Sequence, residues 1–496
     1  MSEKILFWFS GNLTPFCLAY YLQKKVDSDF FAIIDTYDKP KTFFKTQNLV
    51  KIQKSWFYHD YFQKKTKPNL SYLENFEKKY DINLWELAIN ERIFHRFNEI
   101  YQFSNDEILL ILEQECKLFE NILQEVVPNF LVMHEPTLHQ HELLYKMCKK
   151  VGVKILLYNR PNISRCIISE NPRKLDNKID FDNLPTSNRN FDELLSYRKS
   201  LDYFGSIKDF RHKFKTSNFE LMKSFLKFSF TENQHIKTHY THRGRTKISV
   251  LKNEIEKKLK RKSRNKFINK NFKTQITSTE NFVYFPLAVD EERNLLISTP
   301  FYTNQVEVIR HIAKSIPPGF KLYVKENPAQ KIRYWRNISD YKEIMAIPNV
   351  SLFHPSFSAE KMYENCSLVI TIGGSSGLEA AFYQKPSIVF ADLGYSILPS
   401  VSKLNRIDEL PKIIRKSLQK KVSSDDLDKY LTLLHSNSFD FNPLDLQNKY
   451  DEFFYYGGHY QSVTISEEKM KYFLDDNKES LEKFASEYEK RINLSK

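Results

Sequence analysis

The sequence predicts an α/β protein of two Rossmann-like domains facing across a cleft, with a helical insertion between them and a helical return at the C-terminus. Three observations carry that expectation. Strand, turn, helix and strand follow one another at the N-terminus; the same alternation resumes after residue 280; and the second half holds a glycine- and serine-rich turn between two β-branched runs. At 496 residues the chain is too long for one compact core, so two domains with insertions fit better.

Taken in order, Ile5–Phe9 reads as a buried strand ending at Ser10-Gly11-Asn12, and Thr14-Pro15 supply an N-cap and a first-turn proline for a helix over Phe16–Lys25. Phe30–Ile34 is a second strand, ending at Asp35. Residues 40–125 are polar, aromatic and mostly helical in pattern. The alternation returns with strand Phe130–Met133, loop His134-Glu135-Pro136, helix Leu138–Lys150 and, past Gly152, strand Val153–Tyr158. Residues 1–170 are therefore expected to form the first domain. Residues 171–280 lack the alternation; they are helical at Glu193–Leu201 and Phe219–Phe228 and end in a basic run from Lys257 to Lys273.

Residues 281–420 read as the second domain. Strand Asn281–Phe285 precedes helix Asn304–Lys314, which sets Val306, Ile309 and Ala313 on one face and stops at Pro317-Pro318-Gly319. Strands Lys321–Val324 and Val350–Phe353, helix Ala359–Asn365, strand Ser367–Ile370, helix Leu378–Tyr383 and strand Ser387–Phe390 follow. Such alternation predicts a parallel sheet with ligands at the strand C-termini. Residues 421–496 are helical, and the amphipathic stretch Glu467–Ile492 is expected to cross back to the first domain.

Composition narrows the function classes. Hydrophobic content is 41%, with 40 Phe and 28 Tyr, ample for globular cores. Lys and Arg number 75 against 61 Asp and Glu, a net charge of +14 that suits an anionic partner. The five cysteines are scattered, without CxxC or Cys/His ligand spacing, which points to a reducing, cytoplasmic compartment and to no structural metal. No apolar run approaches the ~20 residues of a membrane span. The Lys257–Lys273 run fits a solvated helix face or peripheral contact with an anionic membrane at the inner face of the cell membrane. No nucleic-acid motif accompanies it, so nucleic acid is not expected as a partner.

Three of the chain's 11 glycines fall within Thr371-Ile372-Gly373-Gly374-Ser375-Ser376-Gly377-Leu378-Glu379. A strand feeding such a turn into a helix presents unpaired backbone N–H groups and a positive dipole end, which suits a phosphate. The competing reading is a tight turn needing positive φ, with the serines as helix caps.

From Phe285 to Phe390 the chain resembles the capsule polysaccharide biosynthesis protein family. The resemblance rests on Phe285-Pro286-Leu287, Pro300-Phe301-Tyr302-Thr303-Asn304-Gln305, Pro317-Pro318-Gly319, Leu322-Tyr323-Val324-Lys325-Glu326-Asn327-Pro328, Ile347-Pro348-Asn349-Val350 and the Gly373–Glu379 turn with Lys385-Pro386. It implies a GT-B-like fold and transfer of a sugar from a nucleotide-sugar donor, held by the C-terminal domain, to a glycan or lipid-linked glycan acceptor. It implies no cofactor beyond the donor itself. Two positions depart from the family: Asn327 stands where relatives carry His before Pro, and Ala288 where they often carry His.

Donor contacts are expected from Lys325, Asn327, Gly373, Gly374, Ser375, Ser376 and Gly377, with Glu379 on the donor ribose and Gln305 either on the sugar or helping to cap its helix. Thr371 occupies the place of the first of two glutamates that retaining enzymes of this fold often pair, which favours an inverting reaction; the resemblance also implies that backbone amides and Ser, Lys or Arg side chains, rather than a metal, stabilise the leaving phosphate. Glu135, beside His134 and with Asp35 behind, is the expected catalytic base, its alternative role being a cap on the helix at Leu138. Asp290-Glu291-Glu292 is a second acidic cluster expected to face the cleft. A non-hydrolysing nucleotide-sugar epimerase and a catalytically inactive glycan-binding assembly subunit are the competing functions; Leu378, where such epimerases carry Glu, speaks against the first.

Overall fold

The computed structural model describes residues 2–36, 38–62, 67–160, 164–176, 180–201, 239–277, 280–457 and 463–494. The expected helix Phe219–Phe228 lies outside them. Two six-stranded sheets organise the rest. The first contains β1 (Glu3–Ser10), β2 (Ser28–Asp35), β3 (Lys54–Phe57), β4 (Phe130–His134), β5 (Lys154–Asn159) and β6 (Ile167–Ser169), in the order β3-β2-β1-β4-β5-β6. β6 is antiparallel to β5, and the other neighbours are parallel. The second contains β7 (Phe282–Pro286), β8 (Lys321–Lys325), β9 (Val350–Phe353), β10 (Leu368–Thr371), β11 (Ser387–Val389) and β12 (Val401–Lys403), all parallel, in the order β12-β11-β10-β7-β8-β9. These are two Rossmann-like α/β domains facing across a cleft, a GT-B-like architecture.

Side-chain alternation explains how each sheet seats its two helical layers. On β1, Ile5, Phe7 and Phe9 join one core while Leu6 and Trp8 join the other, so the strand is apolar throughout yet divides its side chains between two faces. The first face is covered by helix Thr14–Leu22 and by the C-terminal return. Tyr21 Oη donates to the Leu474 carbonyl at 2.9 Å and Tyr488 Oη to that of Leu156 at 3.2 Å, tying the last helices to a sheet that begins at residue 3.

Several local expectations are corrected. Thr14 does not cap its helix: it is the first helical residue, and Asn12 Oδ1 accepts its N–H at 3.0 Å. β3, β6 and β12 were not expected. The tetrapeptide of β3 pairs along the edge of β2 with Trp56 buried, and so short an edge strand gains its order from that pairing rather than from local propensity. The single amphipathic stretch expected over Glu467–Ile492 is two helices, Glu467–Asp476 and Lys478–Asn493. Asn477 divides them: its side-chain amide donates to the Phe473 carbonyl while its oxygen accepts from Lys449, diverting the local bonding from a continuous helix.

Candidate functional site

In an open α/β sheet, ligands sit beyond the strand C-termini where the strand order reverses. That point lies between β7 and β10 in the second sheet and between β1 and β4 in the first. A cavity of about 900 Å³ opens beside it, lined by Pro286 and Leu287 at the end of β7, by Gly373–Ser376 after β10, and by Arg160 and Arg173 from the first-domain side.

The turn after β10 is glycine-rich for closeness, not for φ. Among the described residues the glycines with positive φ are Gly152, Gly244 and Gly457, so the turn's three are not held there by backbone angle. A Cβ on Gly377 would lie 2.8 Å from Tyr395 Oη, and one on Gly373 3.0 Å from the Asn294 carbonyl oxygen. Tyr395 also donates to the Gly374 carbonyl. The expected capping role of the serines fails as well: Ser375 occupies the N-cap of helix Ser376–Phe382 in αR geometry without a side-chain cap bond. Both serines line the cavity instead.

Charge at the cavity favours an anion. Arg160, Arg173, Lys174 and Lys403 line it against Glu292 and Asp392. Asp392 is taken by Lys174 at 2.5 Å and Lys403 at 3.2 Å. Arg173 is held at φ 58°, uncommon for a long side chain and a recurrent feature of functional sites. Its guanidinium bridges Glu135 at 3.0 Å to Asn294, and its carbonyl accepts from Gly394 N–H at 3.2 Å. A Cβ on Gly394 would come within 2.7 Å of that carbonyl oxygen, so glycine there is what permits the approach.

The acidic cluster after β7 splits three ways. Asp290 turns away, to Arg336 and to Gln305 Nε2 at 2.8 Å. Glu291 pairs with Arg333 at 3.1 Å. Glu292 alone lines the cavity, without an ion pair among the described residues, and burial pushes its carboxyl pKa up against the pull of Arg173, Arg333 and Arg92.

Of the residues singled out in the sequence, Asn327, Gly373, Gly374, Ser375 and Ser376 meet at this cavity. Asn327 Oδ1 accepts from Ala329 N–H at 3.0 Å, leaving its amide group as a donor. Gly377 lies one turn in, against Tyr395. Lys325 is buried at the end of β8 with no ion pair among the described residues, and desolvation lowers its ammonium pKa.

Three further residues are engaged elsewhere. Glu379 is gripped by Arg198, whose Nε lies 2.9 and 3.0 Å from its two oxygens, so the carboxylate expected on the ribose is occupied. Gln305 accepts from Ala288 N–H at 2.8 Å and donates to the Ala288 carbonyl at 3.0 Å; it neither caps its helix, which Asn304 does, nor lines the cavity. Glu135, at the end of β4, is held between Arg173 and, at 2.9 Å, Arg293. His134 Nδ1 lies 2.6 Å from the Glu135 carbonyl, and burial keeps its imidazole below the usual pKa.

Sequence reading missed the cations. Arg160, Arg173 and Lys174 sit in and beside the connection out of the first sheet, where no motif marks them; the adjacent Arg173-Lys174 pair was the one local signal. Among the described residues no group of three or more His, Cys, Asp or Glu is arranged to hold a metal ion.

No curated protein matches the chain. Among solved structures it is similar to UDP-GlcNAc 2-epimerase from Methanocaldococcus jannaschii, at 13% identity over 88% of this chain and 99% of that one, with a TM-score of 0.25. It is also similar to the beta Kdo 2,7 transferase of Thermosulfurimonas dismutans KpsC, at 11% identity over 70% of this chain and 87% of that one, with a TM-score of 0.30. Likenesses this distant bear on neither substrate nor reaction. The family comparison is the more specific: residues 212–402, which contain every motif from Phe285 to Phe390, match the capsule polysaccharide biosynthesis protein family.

Proposed function

We propose that the protein is a glycosyltransferase of capsule or other surface-polysaccharide assembly, which transfers a sugar from a nucleotide-sugar donor to a glycan acceptor by an inverting, metal-independent reaction. The observation that carries this reading is the cation-lined cavity at the β7/β10 switch point, floored by the Gly373–Ser376 turn. The donor's phosphates would lie on Ser375, Ser376 and the amide of Asn327, with Arg173 and Lys174 answering the leaving-group charge. Lys325, buried beside that floor, adds a positive field. The acceptor would approach from the β1/β4 edge of residues 1–170, opposite the donor domain of residues 281–420.

Two carboxylates compete for the base. Glu135 was the sequence expectation, but two guanidiniums hold it, so we assign it to positioning Arg173. Glu292 faces the cavity with no ion pair among the described residues and with a raised pKa, as a general base requires.

Incubation with CMP- and UDP-sugars, with and without surface-glycan acceptors, tests the reading. Transfer that needs acceptor supports it. Conversion of UDP-GlcNAc without acceptor makes the protein an epimerase, and nucleotide binding with neither reaction makes it an assembly subunit. Binding is expected to survive EDTA. Since a hydrogen bond to a charged group is worth ~1.5–3 kcal/mol, Ser375→Ala/Ser376→Ala should weaken nucleotide affinity about tenfold or more by calorimetry. Unchanged affinity, or complete loss in EDTA, would remove the donor site from this turn.

The helix Lys247–Asn271 supports peripheral membrane contact. Ile248, Ile255 and Leu259 are exposed on one of its faces, flanked by the exposed Lys252, Lys258 and Lys262. An apolar stripe bordered by lysines suits an anionic bilayer surface, at ~1 kcal/mol per nearby cation. No described helix is long and apolar enough to cross a membrane. Sedimentation with anionic liposomes should fall in Ile255→Gln/Leu259→Gln and at high salt. Equal sedimentation with neutral liposomes would reduce the helix to a solvated face.

A further inference from the structure

The loop that follows β7 is anchored on both sides of Glu292, and the anchors nearest to it come from the other domain. Arg92 Nε donates to the Glu291 carbonyl at 2.5 Å, one residue before Glu292. One residue after it, Arg293 Nε donates to the Pro136 carbonyl at 2.5 Å, and Arg293 Nη1 lies 2.9 Å from Glu135. The earlier part of the loop is held within its own domain, Ala288 by Gln305 and Asp290 by Arg336. Glu292 is the acid of this loop that has no ion pair among the described residues and lines the cavity.

Arg92 is itself held from the core of the first domain. Its Nη1 donates to the Thr137 carbonyl at 2.8 Å, and its backbone N–H donates to the Glu91 carboxylate at 2.7 Å. Glu91 is buried; its other oxygen accepts from His139 N–H at 2.9 Å and lies 2.9 Å from His139 Nδ1. The Nε2 of His139 lies 2.9 Å from the buried Glu115. Burial opposes the imidazolium, but the two carboxylates outweigh it and lift the His139 pKa to about 10. A cation set between two carboxylates, all three buried, is a support that is costly to break.

The charges around Glu292 single out the same residue. Arg173, Arg333 and Arg92 act on its carboxylate, with Glu291 and Arg293 flanking it in the chain. Arg173 is paired with Glu135 and Arg333 with Glu291. The Arg92 guanidinium instead serves two carbonyls and has no ion pair among the described residues. Desolvation raises the Glu292 pKa, and these three cations pull against it.

We infer that Arg92 is a positioning residue for the base: reaching from the first domain, it fixes the backbone before Glu292 and so the direction in which that carboxylate meets the cavity. Arg92 does not line the donor cavity, so it acts through Glu292. This role rests on the transferase reading with Glu292 as its base.

Two measurements on the full chain separate the role from a merely structural one. The first is the pH profile of transfer. The second is labelling of Glu292 by a water-soluble carbodiimide with glycine ethyl ester, resolved by peptide mass spectrometry. The reagent attacks the protonated carboxyl, so the pH at which labelling falls away reports the Glu292 titration whether or not transfer occurs.

Arg92→Gln removes a cation, so the acid limb of transfer and the labelling midpoint should both move to higher pH. Its plateau kcat should fall about 10–10²-fold with donor KM within about twofold, since a displaced base slows the chemical step and not donor binding. Arg92→Lys keeps the charge and one of the two bonds. Its midpoint should stay at the parent's pH, and its rate should recover to within about tenfold of the parent. Arg96→Gln removes a different cross-domain bond, from Arg96 Nη1 to the Thr303 carbonyl at 3.0 Å, and should leave both midpoints where they are. Arg92 is a domain tie only, and the inference is overturned, if Arg92→Gln moves neither midpoint, if Arg92→Lys rescues nothing, or if Arg96→Gln reproduces the shift. A parent that transfers to no acceptor would remove the transferase reading, and the labelling midpoints would then decide alone whether Arg92 governs Glu292.

Discussion

Glu292→Gln is expected to lower glycosyl transfer about 10²–10⁴-fold while leaving nucleotide affinity within about twofold. A base acts on the acceptor hydroxyl in the transition state, so its loss appears in kcat and not in donor binding. The parent's rate should rise with pH through the titration of Glu292. Burial places that step above the usual glutamate range, and only the deprotonated form can take a proton. The acid limb should vanish in the Gln variant. Glu135→Gln should behave differently: it releases Arg173, which lines the cavity, so nucleotide affinity falls together with rate. If instead Glu135→Gln abolishes transfer at full nucleotide affinity while Glu292→Gln is active, the base is Glu135 and the assignment to Glu292 fails.

The largest effect on stability is expected at Arg336. Its Nε lies 2.9 Å from Glu326, its other nitrogens reach Asp290 and the Ala288 carbonyl, and Tyr341 Oη closes the set by donating to Glu326 at 2.7 Å. All four of these side chains are buried. Arg336→Met leaves two carboxylates without this cation, which should cost ~3–5 kcal/mol, read as a lower urea midpoint for the unfolding transition followed by tryptophan fluorescence. Glu326→Leu added to Arg336→Met should recover much of the loss, because an apolar pair of similar volume leaves fewer charges unpaired. A small loss in the single variant, or no recovery in the double, would mean that the network is not what holds this loop. Since Arg336 also fixes Ala288, which lines the donor cavity, the single variant should loosen that wall and weaken nucleotide binding as well.

The sequence by itself determined what depends on near neighbours. The alternation of β-branched runs with amphipathic helices pointed to two α/β domains and to the parallel second sheet, and the strand-to-helix turn at Gly373–Ser376 was legible because its residues are consecutive. The acidic run after β7 was legible too, as a cluster. Tertiary structure decided which member acts where. Asp290, Glu291 and Glu292 differ little as a string, yet Arg336 and Arg333 claim the first two and leave the third in the cavity. Glu379 looked free until Arg198, 181 positions earlier, closed on it, and Glu135 until Arg173 and Arg293 did. Of the cations that line the donor cavity, Arg173 and Lys174 belong to a connection without periodicity, and Arg160 and Lys403 stand at strand ends where no motif marks them. A side chain's availability is set by its partners in space, and here those partners lie tens to hundreds of residues away. Local sequence places a carboxylate at a strand end; only the packed structure determines whether an arginine has already taken it.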